Sequence, residues 1–123
     1  MPKRPTILVV EDDVDLREIL CEVLGEMGCT PVGVSDGAAA LDWLLAGNRP
    51  TLILLDLDLP VMDGWRFREA QAADPRLSDI PVILLSSAHN ARRRPIDVPM
   101  LLRKPVPLSE LTETVRRFVE IGS

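Results

Sequence analysis

In this 123-residue chain, acids, hydroxyls and one lysine stand directly behind short apolar runs. Glu11, Asp12 and Asp13 follow Ile7-Leu8-Val9-Val10. Asp56, with Asp58 two residues on, follows Leu52-Ile53-Leu54-Leu55. Ser86 and Ser87 follow Val82-Ile83-Leu84-Leu85, and Lys104-Pro105 come just after Met100 to Leu102. Carboxylates brought into one crevice repel each other unless a cation joins them. Hard oxygen ligands without His or Cys favour Mg²⁺, which keeps several waters and binds through few protein groups. A lysine and a hydroxyl beside such a metal can hold two further oxygens of a phosphoryl group. A carboxylate can accept that group as an aspartyl phosphate, and Asp56, central among the strand ends, is the natural acceptor.

Singly, each of these residues has a plainer reading. Glu11-Asp12-Asp13 can cap the first helix and offset its positive end. Asp56 alone is an ordinary turn residue, and Lys104 alone an ordinary surface lysine. The chemistry therefore depends on the elements that would bring them together.

The apolar runs are too short for helices and do not alternate with polar residues, which is how a strand covered on both faces reads in a parallel sheet. Pro31 to Val34 and Met100 to Leu102 are weaker strand candidates. Between them lie helical patterns. Leu16, Leu20, Val23, Leu24 and Met27 recur at three and four residues and stop at Gly28. Asp36 can cap a second helix through Ala40, Leu41, Leu44 and Leu45 that ends at Gly47. Trp65 to Ala73 is strongly helix-forming. Leu108, Leu111, Val115, Phe118 and Val119 share one face behind Pro107. The resulting alternation predicts an α/β fold, a doubly wound five-stranded parallel sheet with helices on both faces. Ligands of such sheets sit beyond the carboxyl ends of the strands, where these polar residues fall.

Composition narrows the function. The length fits one domain, and 46% hydrophobic residues exclude wholesale disorder. The net charge of −5 argues against direct nucleic-acid contact. Residues 1–63 hold four bases against twelve acids, a net of −8, whereas residues 64–123 hold ten against seven, a net of +3. Something in the first half needs carboxylates. Cys21 and Cys29 lack metal-ligand spacing and read as reduced packing thiols. No apolar run approaches ~18 residues and no signal-peptide core follows the start. These features predict a cytoplasmic protein without membrane insertion.

The segments Ile7 to Asp13, Leu55 to Gly64, Leu85-Ser86-Ser87-Ala88 and Lys104-Pro105 together resemble the receiver domain of two-component response regulators. The resemblance spans nearly the whole chain. It implies the flavodoxin-like strand order 2-1-3-4-5 and a single receiver domain over residues 1–123 with no output domain. Glu11 and Asp12 become the acidic pair, with Asp12 the closer Mg²⁺ ligand and Asp13 a capping acid. Asp56 is phosphoacceptor and ligand, and the Asp58 backbone carbonyl completes the protein's share. Ser87 hydrogen-bonds the phosphoryl group, Lys104 pairs with another of its oxygens, and the Lys104–Pro105 bond is cis. The implied donor is a phosphohistidine on a sensor histidine kinase or histidine phosphotransfer protein. The output is a change in contacts with a downstream protein, and the chain is no enzyme beyond its own phosphotransfer and dephosphorylation.

Two features depart from the family pattern. Leu101 stands where an aromatic switch residue is usual, and the chain has no tyrosine. The interval from Ser87 to Lys104 is short by more than a helical turn and contains Pro95 and Pro99, so the fourth helix is predicted shortened or absent. Within it, His89 reads either as a tuner of water access or as a plain surface residue. Arg92–Arg94 reads either as a solvated loop or as a docking point for an acidic partner. Two other functions remain as alternatives: a phosphorylation-independent receiver-like binding module, and a haloacid-dehalogenase-type phosphatase. The latter's Asp-x-Asp motif normally follows the first strand, whereas here it follows the third.

Overall fold

A computed structural model describes residues 4–57, 59, 62–86 and 100–122, with side chains through 119. Five strands, β1 (Thr6–Val10), β2 (Thr30–Val34), β3 (Leu52–Asp56), β4 (Val82–Ser86) and β5 (Met100–Arg103), form one parallel sheet. Its order is β2-β1-β3-β4-β5, the doubly wound order that the resemblance implies. Among the described residues there are four helices: α1 (Val14–Glu26), α2 (Gly37–Leu45), α3 (Gly64–Ala73) and α4 (Leu108–Gly122). The shortened helix predicted between β4 and β5, with His89 and Arg92–Arg94, lies outside the described residues.

The three consecutive apolar runs became the three central strands because each side of them is covered. Alternate residues of a strand point to opposite faces, and the two faces have separate cores. Ile7 and Val9 of β1 pack with Leu20 and Leu24 of α1 and with Leu111 and Val115 of α4. Leu8 and Val10 pack with Ala40 and Leu44 of α2 and Phe67 of α3. The helices sit in pairs, α1 with α4 and α2 with α3, one pair on each face. Cys29 is buried and Cys21 half-buried in the first of these cores, and neither is bonded to the other.

Local signals set the ends of the helices. Asp13, Asp36 and Asp63 cap α1, α2 and α3, their side chains accepting from the backbone N–H of Leu16, Ala39 and Arg66. Gly28 and Gly47 follow α1 and α2 at φ 89° and 104°, the left-handed conformation that glycine enters without strain. Helix α3 starts at Gly64, one residue before the expected Trp65, because Asp63 is its cap. Between α3 and β4, the buried Gln71 amide donates to the carbonyls of Leu77 (3.0 Å) and Ile80 (2.9 Å) and holds that loop against the core.

From β1 the chain crosses outward to β2 and returns past β1 to β3. The winding therefore changes direction between β1 and β3, and a crevice opens at their carboxyl ends.

Candidate functional site

Glu11 is the first residue beyond β1 and Asp56 the last of β3; each is only 2% exposed. A buried carboxylate at a strand end is costly unless it is paired. Lys104 supplies the partner. It follows β5, and its backbone N–H donates to the Ser86 carbonyl at 2.8 Å, which continues the β4–β5 ladder by one residue. The side chain then spans β4, about 10 Å of sheet at the usual strand spacing, and Nζ donates to Asp56 Oδ2 at 2.8 Å. The same ammonium lies 3.9 Å from Glu11 Oε1. The Lys104–Pro105 peptide is cis.

Asp12 is exposed at the mouth of the crevice. Carboxylate oxygens of Glu11, Asp12 and Asp56 all lie within 4.8 Å of one another. Asp13 takes no part in this cluster; it caps α1, as the resemblance implies. Structure thus separates three consecutive acids into two that face the crevice and one that serves the helix.

The cluster is electrostatically incomplete. With all three carboxylates ionised, the cluster and its one ammonium carry a formal charge of −2, which a divalent cation would balance. Glu11 bears the strain. Burial first, and then the adjoining Asp56 carboxylate, push its pKa up to about 8, against the opposing pull of the Asp13 N–H and Lys104. Its Oε1 is buried without a hydrogen-bond partner. An orphaned hard oxygen in an all-oxygen cluster fits Mg²⁺.

Of the other sequence candidates, Asp58 and Ser87 lie outside the described residues. The neighbouring Ser86 is buried at the end of β4. Leu101, which stands where the resemblance expects an aromatic residue, is 38% exposed on β5, an edge strand. Two contributors escaped the sequence reading. Gly64 lets the chain after Asp56 fold back tightly: a Cβ there would come within 2.9 Å of Leu57 Cα. Arg17 donates from Nη1 to the Glu11 carbonyl at 2.8 Å. A glycine needed for one close approach leaves no periodic signal, and a lone arginine on an acidic helix looks like surface.

Comparison with known proteins agrees with this geometry. The sequence model of the response regulator receiver domain matches residues 7–116. The response regulator MprA of Mycobacterium sp. (strain KMS) is 34% identical over 97% of this chain and 51% of its own length. The phosphate regulon transcriptional regulatory protein PhoB of Klebsiella pneumoniae is 40% identical over 66% of this chain and 35% of its own. The chain thus spans between about a third and half of these curated relatives. Among solved structures, the receiver domain of a signal transduction histidine kinase from Syntrophus aciditrophicus superposes with a TM-score of 0.86 at 31% identity, covering 94% of this chain and 90% of that one. The receiver domain of a sensor histidine kinase from Pseudomonas aeruginosa, with a magnesium ion coordinated in its active-site cleft, gives 0.83 at 26%, covering 95% and 98%. With a family match that runs from β1 into α4, and a relative aligned along 97% of this chain, the chain belongs to the response regulator receiver domain family.

Proposed function

We propose that Asp56 accepts a phosphoryl group from a phosphohistidine on a sensor histidine kinase or histidine phosphotransfer protein, in a Mg²⁺-dependent reaction that switches protein contacts. Receiver domains are signalling phosphoacceptors rather than conventional enzymes. The observation that carries the reading is the Lys104 ammonium seated on Asp56 Oδ2 at 2.8 Å beside the Glu11–Asp12 pair. It puts a carboxylate suited to attack, an ammonium and further carboxylate oxygens within one crevice.

In the transfer, an Asp56 oxygen forms the new P–O bond while the P–N bond to imidazole breaks, and the bonding electron pair stays on the imidazole nitrogen. Lys104 leaves Asp56 Oδ2 for a phosphoryl oxygen, so the attacking carboxylate is released as the incoming charge is neutralised. Glu11, Asp12, Asp56 and the Asp58 carbonyl would hold Mg²⁺, whose chemistry is to draw phosphoryl oxygens into line and offset their charge. Ser87 is assigned the remaining oxygen. The magnesium coordinated in the active-site cleft of the Pseudomonas aeruginosa receiver domain supports a Mg²⁺ site in this crevice.

A groove of about 420 Å³ adjoins Lys104, with Leu16 and Leu20 of α1 and Pro105, Val106 and Leu108 along its walls. It offers apolar surface where a protein donor must approach. For this domain the net charge of −5 also favours a protein partner over nucleic acid.

Incubation with acetyl phosphate and Mg²⁺, followed by intact mass measurement, tests the acceptor. One phosphoryl group should be gained by the wild type and none by Asp56→Ala. No gain in the wild type would favour the phosphorylation-independent binding module. An equal gain in Asp56→Ala would move the acceptor elsewhere. The receiver-family match speaks against the phosphatase reading, whose Asp-x-Asp motif normally follows the first strand, whereas Asp56 ends the third.

A further inference from the structure

The loop that carries Glu11 and Asp12 is held at successive points. Glu11 N–H donates to the Val34 carbonyl of β2 at 3.1 Å, and Arg17 N–H donates to the Asp13 carbonyl at 2.9 Å. Asp13 N–H reaches Glu11 Oε2 at 3.3 Å, and Asp13 Oδ1 accepts from Leu16 N–H at 3.2 Å. The Glu11 carbonyl remains, and a side chain rather than backbone takes it: Arg17 Nη1, at 2.8 Å.

Arg17 has an unusual seat. Its aliphatic stem lies over Gly33 of β2, where a Cβ would stand 3.0 Å from Arg17 Cδ and 3.1 Å from Cγ. Those separations are tighter than carbon atoms normally pack, so the glycine makes the path that the stem follows. Despite six acids in residues 11–22, Arg17 forms no ion pair among the described residues; the hydrogen bond of its guanidinium there goes to the Glu11 carbonyl. An arginine free to serve as a surface charge would have had nearby carboxylates to choose from.

Holding this carbonyl matters because a peptide unit is planar. The atom that fixes the Glu11 C=O also fixes the plane from which Asp12 Cα leaves. Without that restraint, no hydrogen bond or ion pair among the described residues would hold the exposed Asp12 side chain beside the neighbouring Asp56 carboxylate, whose repulsion favours an outward turn, and a cation would have to gather it back. A site organised beforehand spares that ordering on binding.

We propose that Arg17, seated on Gly33, is a positioning residue that sets the Glu11–Asp12 peptide and so prearranges both carboxylates for Mg²⁺. This inference rests on the metal reading above, and its test separates the two. Mg²⁺ affinity is measured by calorimetric titration on wild type, Arg17→Ala, Arg17→Lys, Gly33→Ala and Cys21→Ala, at a temperature where each is fully folded. Supports of metal ligands typically change affinity about 10–100-fold. Arg17→Ala should weaken Mg²⁺ binding about tenfold, Arg17→Lys should recover part of the loss with a single shorter donor, and Gly33→Ala should weaken it less. Cys21→Ala, which alters the third contact over Gly33 (3.4 Å) without touching Glu11, should bind as wild type does. Arg17→Ala binding within twofold of wild type overturns the proposal, whatever its melting temperature. A wild type that binds no Mg²⁺ overturns the metal reading and this inference with it.

Discussion

At the scale of single residues, the site is held in tension between Glu11 and Lys104. Because the folded protein keeps a proton on Glu11 up to about pH 8, against an ordinary value of 4.5, the native state binds more protons than the unfolded chain in that window. Stability without metal should then be fullest below about pH 4.5 and fall as pH rises towards about 8. Urea denaturation across that range in EDTA should show this slope, and saturating Mg²⁺ should flatten it by stabilising the ionised form. Glu11→Gln should remove the slope in EDTA and leave the metal-free protein more stable at pH 8; a slope that persists would place the titrating group elsewhere. Lys104 carries the opposite duty. Lys104→Met should keep the fold but slow phosphorylation by acetyl phosphate about 100-fold, the scale of losing one preorganised charge-stabilising donor. A rate equal to wild type would deny it that role.

Elements hold these residues by their ends. Asp63 caps α3, and that helix begins where the loop after Asp56 closes. Asp63→Ala should cost about 1 kcal/mol of stability by urea denaturation. The cap was hard to read in the sequence because Asp63 sits in a run with Asp56 and Asp58, where an acid looks like a ligand. The apolar groove between α1 and α4 permits a sharper separation. Leu108 is exposed at its rim. Leu108→Lys should slow transfer from a phosphorylated kinase or phosphotransfer protein about tenfold, the weight of one buried apolar anchor lost from an interface. Phosphorylation by acetyl phosphate should stay unchanged, since a small donor needs no docking surface. Equal slowing with both donors would mean damage to the site rather than to docking.

Over the whole molecule, the site works as a clasp between β1, β3 and β5, which lie far apart in sequence and meet only when the sheet is complete. A cation bound there binds the folded state alone. Mg²⁺ at a hundredfold excess over its Kd should therefore stabilise the protein by about 2.7 kcal/mol. Asp12→Ala and Asp56→Ala should each abolish the effect in thermal denaturation. The parallel sheet was legible beforehand because covered strands read as unbroken apolar runs, as Leu52 to Leu55 do, and its order because the motif segments resemble one family. Positions of the acids were legible for the same reason: they stop those runs. Residue type alone could not show which of three consecutive acids turns inward, since capping and ligation ask for the same residue type; only the resemblance set Asp13 apart from the other two. The packed structure has Asp13 capping the helix and Glu11 and Asp12 at the crevice, as the resemblance implies. Lys104 reaches Asp56 across β4, and Arg17 reaches the Glu11 carbonyl over Gly33, through contacts whose partners the sequence does not name. Periodicity and residue type determine elements because those are local preferences. Ion pairs, orphaned oxygens and the raised Glu11 pKa come from distances and burial, which exist only once the strands lie side by side.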